Sequence, residues 1–283
     1  MTSEHLTLEL PQGPIRYREL GEGEPIVFVH GFLVDGRLWE EAAQRLSGSY
    51  RCILPDWPMG SHRAAMKPDA DLSPPGIAKL IADFIAALDL DGVTIVGNDS
   101  GGAMSQVLVT RHPERIARLV LTNCDSFDNF PPFPFGAMAP IARLPGGMTA
   151  LALPFRLGPV RRATYGLFAK RIPPELVDDW LAPSLTDPEI KRDARKFTLG
   201  VHKRHTLEAA EHFGELEIPV LLAWAPEDRF FKLGDAQRLA AAIPDSRLET
   251  IPDAKTFVAL DRPERLAELI AAFVTQTAAG APV

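Results

Sequence analysis

The chain has 283 residues, which suits one α/β domain with an insertion, since single cores become rare beyond about 250–300 residues. Hydrophobic residues make up 46% of it and charged residues 24%, a balance that excludes a disordered chain. Thirty Lys and Arg against 37 Asp and Glu give a net charge of −7, and basic residues form no long block, so we expect no nucleic-acid partner.

The N-terminal segment MTSEHLTLELPQG has no basic start followed by an apolar stretch, which predicts that no signal peptide is present. No run approaches the roughly 20 apolar residues that a membrane helix needs. We therefore expect a cytoplasmic protein without a membrane partner. Cys52 and Cys124 both lie in apolar, strand-like runs and are predicted to be buried free thiols.

Short strand-like runs alternate with helical patterns through the first 126 residues. The first two runs alternate polar and apolar residues, as antiparallel strands do, and the later ones are continuously apolar, as expected for strands buried on both faces. Ser73 precedes two prolines and a helical pattern, which is typical of an N-cap. The predicted strands are 6–10, 15–20, 26–29, 51–55, 93–97 and 118–123, and the predicted helices are 37–46, 74–90 and 101–113.

Residues 127–215 break this alternation, because they contain many prolines and several helical segments but no convincing buried strand. The alternation then resumes with strands at 218–224 and 246–251 and helices at 234–243 and 263–274. Such alternation predicts an α/β fold with a mostly parallel sheet covered on both faces. We predict a core formed by 1–126 and 216–283, with 127–215 as a helical lid over the carboxyl ends of the strands, where open α/β sheets bind ligands.

The segment Gly97-Asn98-Asp99-Ser100-Gly101 lies between a predicted strand and a predicted helix. A side chain at the tip of such a sharp turn needs glycines two residues before and after it, and the helix N-terminus stabilises negative charge there. Gly97 and Gly101 bracket Asp99 symmetrically, whereas a turn centred on Ser100 would put Asn98 in a glycine position. We therefore favour Asp99 over Ser100 as the tip residue, with a helix N-cap that has no chemistry as the alternative.

Together with His30-Gly31-Phe32 after the third strand, this segment resembles the α/β-hydrolase superfamily. The similar branch holds haloalkane dehalogenases, fluoroacetate dehalogenases and epoxide hydrolases, which carry His-Gly after the third strand and Gly-x-Asp-x-Gly-Gly at the elbow. The resemblance covers nearly the whole chain. It implies an α/β-hydrolase fold with Asp99 as the nucleophile, and an oxyanion hole formed by the backbone N–H groups of Phe32 and Ser100.

The resemblance also implies an acid that orients a catalytic partner after the seventh strand. Asp228 in the segment WAPED matches that position, and Glu227 is a weaker candidate. Asp125 and Asp128, which follow the sixth strand, are an alternative source of this acid.

The chain departs from the family at the catalytic histidine. Thr256 stands at the family's histidine position after the last strand, and threonine cannot activate water near neutral pH. Helpers for the leaving group are missing too. Ser100 follows the nucleophile where these dehalogenases carry Trp or Arg, and Tyr165 is the only tyrosine of the predicted lid, where epoxide hydrolases use two.

His62 is our predicted replacement base, because its loop follows the fourth strand and so reaches the same edge of the sheet. Trp57 and Arg63 beside it are predicted to contact an aromatic or anionic part of the substrate. His30 is also placed at the substrate site, although bracing of its own loop is the simpler interpretation. We expect the remaining histidines to be packed or solvated.

The sequence contains no motif for a metal, a phosphate or a dinucleotide, so we expect no metal and no cofactor. The leading hypothesis is a hydrolase that acts on a small, mostly apolar molecule through Asp99, with an atypical second step. Two alternatives stay open: a ligand-binding or regulatory protein without turnover, and a lyase or isomerase that uses Asp99 as a base. The sequence leaves the oligomeric state open.

Overall fold

A single eight-stranded sheet forms the centre of the computed structural model, which describes residues 5–278. Residues 1–4, which belong to the N-terminal segment examined for a signal peptide, lie outside this range. The strands in chain order are β1 (Leu6–Leu10), β2 (Gly13–Leu20), β3 (Glu24–Val29), β4 (Tyr50–Pro55), β5 (Val93–Asp99), β6 (Ile116–Cys124), β7 (Val220–Trp224) and β8 (Ser246–Thr250).

The strand order is β1-β2-β4-β3-β5-β6-β7-β8. β1 pairs antiparallel with β2, as their alternating patterns predicted, and β2 also pairs antiparallel with β4. All other neighbours are parallel. The apolar runs of β5, β6 and β7 are buried because helices cover both faces of the sheet. The predicted α/β fold class is confirmed.

Helices fill the connections between the strands. The N-cap prediction for the second helix is confirmed, because the Ser73 side chain accepts a hydrogen bond from the Gly76 N–H. The helices in chain order are α1 (Glu40–Leu46), α2 (Pro74–Ala87), α3 (Ser100–Arg111), α4 (Met138–Arg143), α5 (Gly147–Ala152), α6 (Gly158–Tyr165), α7 (Pro174–Thr186), α8 (Pro188–Gly200), α9 (Arg204–Glu211), α10 (Leu233–Ala242), α11 (Val258–Asp261) and α12 (Pro263–Ala278).

Two apolar cores lie on opposite faces of the sheet. One contains side chains of α2, α3 and α10, and the other contains side chains of α1, α11 and α12. Cys52 and Cys124 are buried and free, as predicted. Within the part of the chain that the structure describes, no helix is both long and apolar enough to cross a membrane.

Helices α4 to α9 all belong to the connection between β6 and β7, which we call the insertion (residues 125–219). Buried polar contacts fasten it to the sheet side of the molecule. The Trp180 Nε1–H donates to Asp35 Oδ1 at 2.8 Å, and the Met66 N–H donates to Asp193 Oδ2 at 2.8 Å. The lid boundaries at 127 and 215 remain a prediction.

The close packing of α3 on β6 depends on Gly102, and this dependence is testable. A Cβ added at Gly102 would lie 2.3 Å from the Cys124 Cβ, far inside van der Waals contact. We expect Gly102→Ala to lower the free energy of unfolding by about 1–3 kcal/mol, measured by urea denaturation, because neither the helix nor the strand has room to shift. The matched control is Gly48→Ala, since a Cβ there meets nothing within 4 Å. Equal stability of the two variants would contradict this packing argument.

Candidate active site

Asp99 lies at the sharp turn between β5 and α3. Its φ of 54° and ψ of −135° are rare for a residue other than glycine. Glycines on both sides make the turn possible: a Cβ at Gly97 would lie 2.5 Å from a side-chain oxygen of α3, and one at Gly101 would lie 2.3 Å from backbone oxygens at the end of β3. Asp99, and not Ser100, therefore occupies the apex, since Ser100 is already the first residue of the helix.

The Asp99 carboxyl group faces the loop after β3. A Cβ at Gly31 would lie 2.1 Å from Asp99 Oδ2, so only glycine leaves room for the carboxyl group there. The nearby backbone N–H groups of Ser100 and Phe32 lower the pKa of this carboxyl group. The Phe32 N–H also lies 2.9 Å from the Ser100 Oγ, which accepts from it. Two N–H groups directed at one carboxyl group can stabilise negative charge on its oxygens.

Burial and, to a lesser extent, the negative charge of Asp228 raise the pKa of Asp99 to about 7, against the opposing effect of the Ser100 and Phe32 N–H groups. Asp99 therefore keeps its proton to a higher pH than an exposed aspartate does. A carboxylate that is poorly solvated is a stronger nucleophile and base than one in water.

A cavity of about 660 Å³ opens above this carboxyl group. Its wall is mainly aromatic and comes from both the sheet edge and the insertion. Its buried polar side chains lie at the ends of β5 and β6 and on two helices of the insertion, and its exposed charged side chains lie at the mouth. The aromatic lining residues are Phe32, Phe130, Phe135, Phe155, Tyr165, Phe168, Phe197 and Phe257, and the charged or basic ones are Asp99, Asp125, Asp128, Arg143, His202 and Lys203.

Asp125 is the second buried carboxyl group of the cavity. It follows β6, whose last residue, Cys124, is opposite Asp99 in the sheet. The Asp125 N–H donates to the Asp99 backbone oxygen at 3.4 Å, and Asp125 Oδ1 has no hydrogen-bond partner among the described residues. Burial, followed by the negative charge of Asp99, raises the pKa of Asp125 well above its usual value. Asp125, the alternative acid predicted from the sequence, thus lies beside Asp99, the predicted nucleophile.

Asp228 lies in the loop after β7 and is buried. Its Oδ1 accepts from the N–H groups of Phe230 at 2.7 Å and Phe231 at 3.2 Å. Burial raises the pKa of Asp228, and the Phe230 N–H and the nearby Thr256 hydroxyl partly oppose this. Asp228 Oδ2 nevertheless forms no hydrogen bond of normal geometry. Asp228 does not line the cavity, so it acts on Asp99 through its charge.

Thr256 belongs to the loop after β8, and this loop is attached to the elbow. Asn98 Nδ2 donates to the Thr256 backbone oxygen at 2.7 Å, which places residue 256 beside the residue that precedes Asp99. The Thr256 side chain is fully buried, and its Oγ1 has no hydrogen-bond partner among the described residues. The loop thus reaches the site but presents a hydroxyl group where a base is expected.

His62 does not reach the cavity. Its ring is buried between the β4–α2 connection and α8, with Nε2 3.3 Å from Asp193 Oδ2 and Nδ1 accepting from the Gly60 N–H at 3.4 Å. Burial lowers the pKa of His62. His62, our predicted replacement base, therefore contacts Asp193 of the insertion. It does not lie at the cavity beside Asp99, where a catalytic base would have to be.

The three predicted substrate contacts also lie outside the cavity lining. The His30 Nδ1–H donates to the Gly31 backbone oxygen at 2.9 Å, and Nε2 accepts from the Trp57 N–H at 2.8 Å, so His30 braces its loop. Burial lowers the pKa of His30 to about 4. Trp57 is buried and donates from Nε1 to the Phe28 backbone oxygen. Arg63 is exposed and directed at the Asp179 backbone oxygen.

Sequence reasoning missed most of the cavity wall. The segment FDNFPPFPF after β6 was a usable signal, because its dense Phe and Pro residues supply Phe130 and Phe135 to the wall. His202 is the one histidine among the described residues that lines the cavity. It is exposed at the mouth, and its Nδ1 accepts from the Arg204 N–H at 3.1 Å. Within residues 5–278, no group of three or more His, Cys, Asp or Glu residues is arranged to hold a metal ion.

Comparison with known proteins gives a consistent assignment. The family model described as alpha/beta hydrolase fold matches residues 24–263. An uncharacterized protein of Mycobacterium tuberculosis is 27% identical over 92% of this chain and 78% of its own length. Haloalkane dehalogenase 2 of the same organism is 26% identical over 92% of this chain and 91% of its own. The structure of the epoxide hydrolase CorEH has a TM-score of 0.79 at 18% identity and covers 97% of this chain and 99% of its own.

The raised pKa of Asp99 has a consequence for stability. The folded protein binds the Asp99 proton more tightly than the unfolded chain does, so ionisation of Asp99 lowers the stability as pH rises from about 4 to about 7. We expect Asp99→Asn to raise the free energy of unfolding by about 1–3 kcal/mol at pH 8 and to change it little at pH 4, measured by urea denaturation. The control is Asp91→Asn, an exposed position before β5. An Asp99→Asn variant less stable than the parent at pH 8 would contradict the argument.

Proposed function

Because the chain belongs to the α/β-hydrolase-fold family, we propose that it is a hydrolase that attacks carbon of a small, mostly apolar substrate with Asp99. One observation carries this proposal. The Asp99 carboxyl group lies at the apex of the strand–helix turn, borders an aromatic cavity and lies near the N–H groups of Phe32 and Ser100.

In the first step, one Asp99 oxygen attacks a substrate carbon, the bond to the leaving group breaks, and an ester of Asp99 forms. The cavity favours this step because its aromatic wall excludes water and holds the substrate against the carboxylate. The substrate class follows from the same wall: about 660 Å³ with few polar groups suits a small apolar molecule that carries one reactive carbon. The names of the dehalogenase relative and of the epoxide hydrolase structure agree with such a substrate.

In the second step, water attacks the carbonyl carbon of the ester, and negative charge develops on an Asp99 oxygen. We expect the N–H groups of Phe32 and Ser100 to stabilise that charge, because both already favour the charged form of Asp99. Members of the branch that the chain resembles activate this water with histidine. Thr256 cannot do so, and His62 is held by Asp193 away from the cavity, so we expect an atypical and slow second step.

A second candidate function is ligand binding without turnover. The buried Thr256 hydroxyl group in place of a base favours it. This function predicts saturable binding that survives Asp99→Asn, with no product formed.

The direct test uses 1-bromooctane, intact-mass measurement and peptide mapping. We expect the wild-type protein to gain one octyl group on Asp99, and Asp99→Asn to gain none at that position. Thr256→His should hydrolyse the ester at least about 10-fold faster, because a base then stands beside the elbow. Saturable binding without an adduct or octanol in the wild-type protein would favour the second candidate and contradict the hydrolase proposal.

A further inference from the structure

We propose that Asp125 is the acid–base partner of Asp99: it protonates the leaving group when Asp99 attacks, and then activates the water that hydrolyses the ester. The proposal rests on the proposed function and deepens it, because it names a substrate class. A group that donates a proton to the leaving group serves substrates whose leaving atom is oxygen, with epoxides as the simplest apolar example.

Position is the first argument. Asp99 and Asp125 follow neighbouring parallel strands, and both side chains border the same cavity. The hydrogen bond from the Asp125 N–H to the Asp99 backbone oxygen holds the two backbones next to each other. Gln106 Nε2 on α3 donates to the Asp125 backbone oxygen at 2.7 Å, so the same helix that follows the elbow also positions Asp125.

The free oxygen of Asp125 is the second argument. Asp125 is 2% exposed, and its Oδ1 has no partner among the described residues, although an unpartnered buried oxygen is costly. Ser126 Oγ, also buried, lacks a partner there too. We therefore expect this oxygen of Asp125 to have a partner when a substrate is bound. Because Asp125 borders the cavity, proton transfer to the substrate is a role that its carboxyl group can perform.

Two other buried hydroxyl groups of the cavity wall, those of Tyr165 and Thr198, already donate to backbone oxygens. The Tyr165 hydroxyl donates to the Leu33 backbone oxygen at 2.7 Å, so it cannot donate to an epoxide as lid tyrosines do. The Thr198 hydroxyl donates to the Ala194 backbone oxygen at 2.8 Å. His202 is exposed at the mouth and caps the turn before α9. Asp125 is thus the acid best placed beside Asp99.

The two carboxyl groups also control each other's protonation. Burial and the charge of Asp99 keep Asp125 protonated while Asp99 is ionised, which is the state that the first step needs. Ester formation removes the charge of Asp99. Asp125 then loses a proton more readily, which is the state that the second step needs. Retaining glycosidases use a pair of carboxyl groups in the same alternating way.

The proton balance closes over the cycle for an epoxide. Asp99 attacks a ring carbon, the carbon–oxygen bond breaks, and the oxygen takes its proton from Asp125, which leaves an ester and an Asp125 carboxylate. That carboxylate removes a proton from water as the water attacks the ester. The tetrahedral intermediate collapses, the ester bond breaks, and the alkoxide takes the proton of the Asp99 carboxyl group. The product is a diol, and both carboxyl groups return to their first state.

A halide leaves without a proton, and this difference gives a test with one variant and two probes of equal chain length. With 1,2-epoxyoctane, we expect Asp125→Asn to slow formation of the Asp99 ester by about 100-fold or more, because the acid is missing. With 1-bromooctane, the same variant should form the ester at the wild-type rate and then accumulate it, because the base for hydrolysis is missing. Stopped reactions are followed by intact mass and by mapping of the Asp99 peptide.

The controls separate proton transfer from folding and from other bases. Asp91→Asn is the same substitution before the start of β5 and should change neither probe's kinetics. Asp125→Glu keeps a carboxyl group and should restore part of the epoxide reaction, while Asp125→Ser should reproduce the loss if Asp125→Asn folds poorly. His202→Gln tests the histidine at the mouth.

Three outcomes overturn the inference. Equal slowing of ester formation from both probes in Asp125→Asn would indicate a structural role. Unchanged kinetics would remove Asp125 from the reaction, and loss of ester hydrolysis in His202→Gln alone would assign the base to His202. If wild-type Asp99 forms an ester with neither probe, the proposed function itself fails, and that result is distinct from the other three.

Discussion

The left-handed backbone of Asp99 is the constraint on which the site depends. It requires glycine at positions 97 and 101, because a Cβ there would clash with α3 or with the end of β3. Helix α3 begins directly after it, at Ser100, whose backbone N–H group lowers the pKa of Asp99. The same turn holds Asp99 in the cavity and close to Phe32. A conformation that costs of order 1–3 kcal/mol persists because the packed sheet and helix enforce it.

Three acidic side chains at the carboxyl ends of the strands determine the electrostatics of the site. Asp99 ends β5, Asp125 directly follows β6 and Asp228 lies in the loop after β7, so the carboxyl ends of three adjacent parallel strands bring them to one edge of the sheet. Each has a raised pKa, mainly because it is buried. The arrangement costs stability at neutral pH, which is typical of sites in which reactivity depends on poorly solvated charge. A sheet selected for stability alone would replace such groups with neutral ones.

The fold could be predicted from the sequence because it rests on local patterns. The alternation of β1 and β2, the apolar runs of the parallel strands and the Ser73 cap each follow from neighbouring residues, and the structure confirms them. The elbow was predictable for the same reason, since its glycines lie within two residues of Asp99. The surroundings of Asp99 were harder to predict from the sequence. His62 was expected at the sheet edge from its position after β4, but a contact with Asp193, distant in sequence, buries it elsewhere.

The residues of the cavity wall could not be predicted from the sequence for a similar reason. Its aromatic side chains come from the loop after β3, from loops and helices of the insertion and from the loop after β8, and only tertiary packing decides which of them face the cavity. His30 and Trp57 were misplaced because both are buried, held by a hydrogen bond between them and by one from Trp57 to Phe28 of β3. Asp125 was visible in sequence as an alternative acid, but its nearness to Asp99 depends on the pairing of β5 with β6.

The most direct test of the account is the fate of the oxygen that enters from water. A single turnover of 1,2-epoxyoctane in H₂¹⁸O, with the protein in excess, is followed by mapping of the Asp99 peptide and by mass analysis of the diol. Attack by Asp99 on carbon predicts that ¹⁸O appears in the Asp99 carboxyl group and that the diol is unlabelled. Labelled diol together with an unlabelled Asp99 peptide would mean that water attacks the substrate directly, and would contradict the central role given to Asp99.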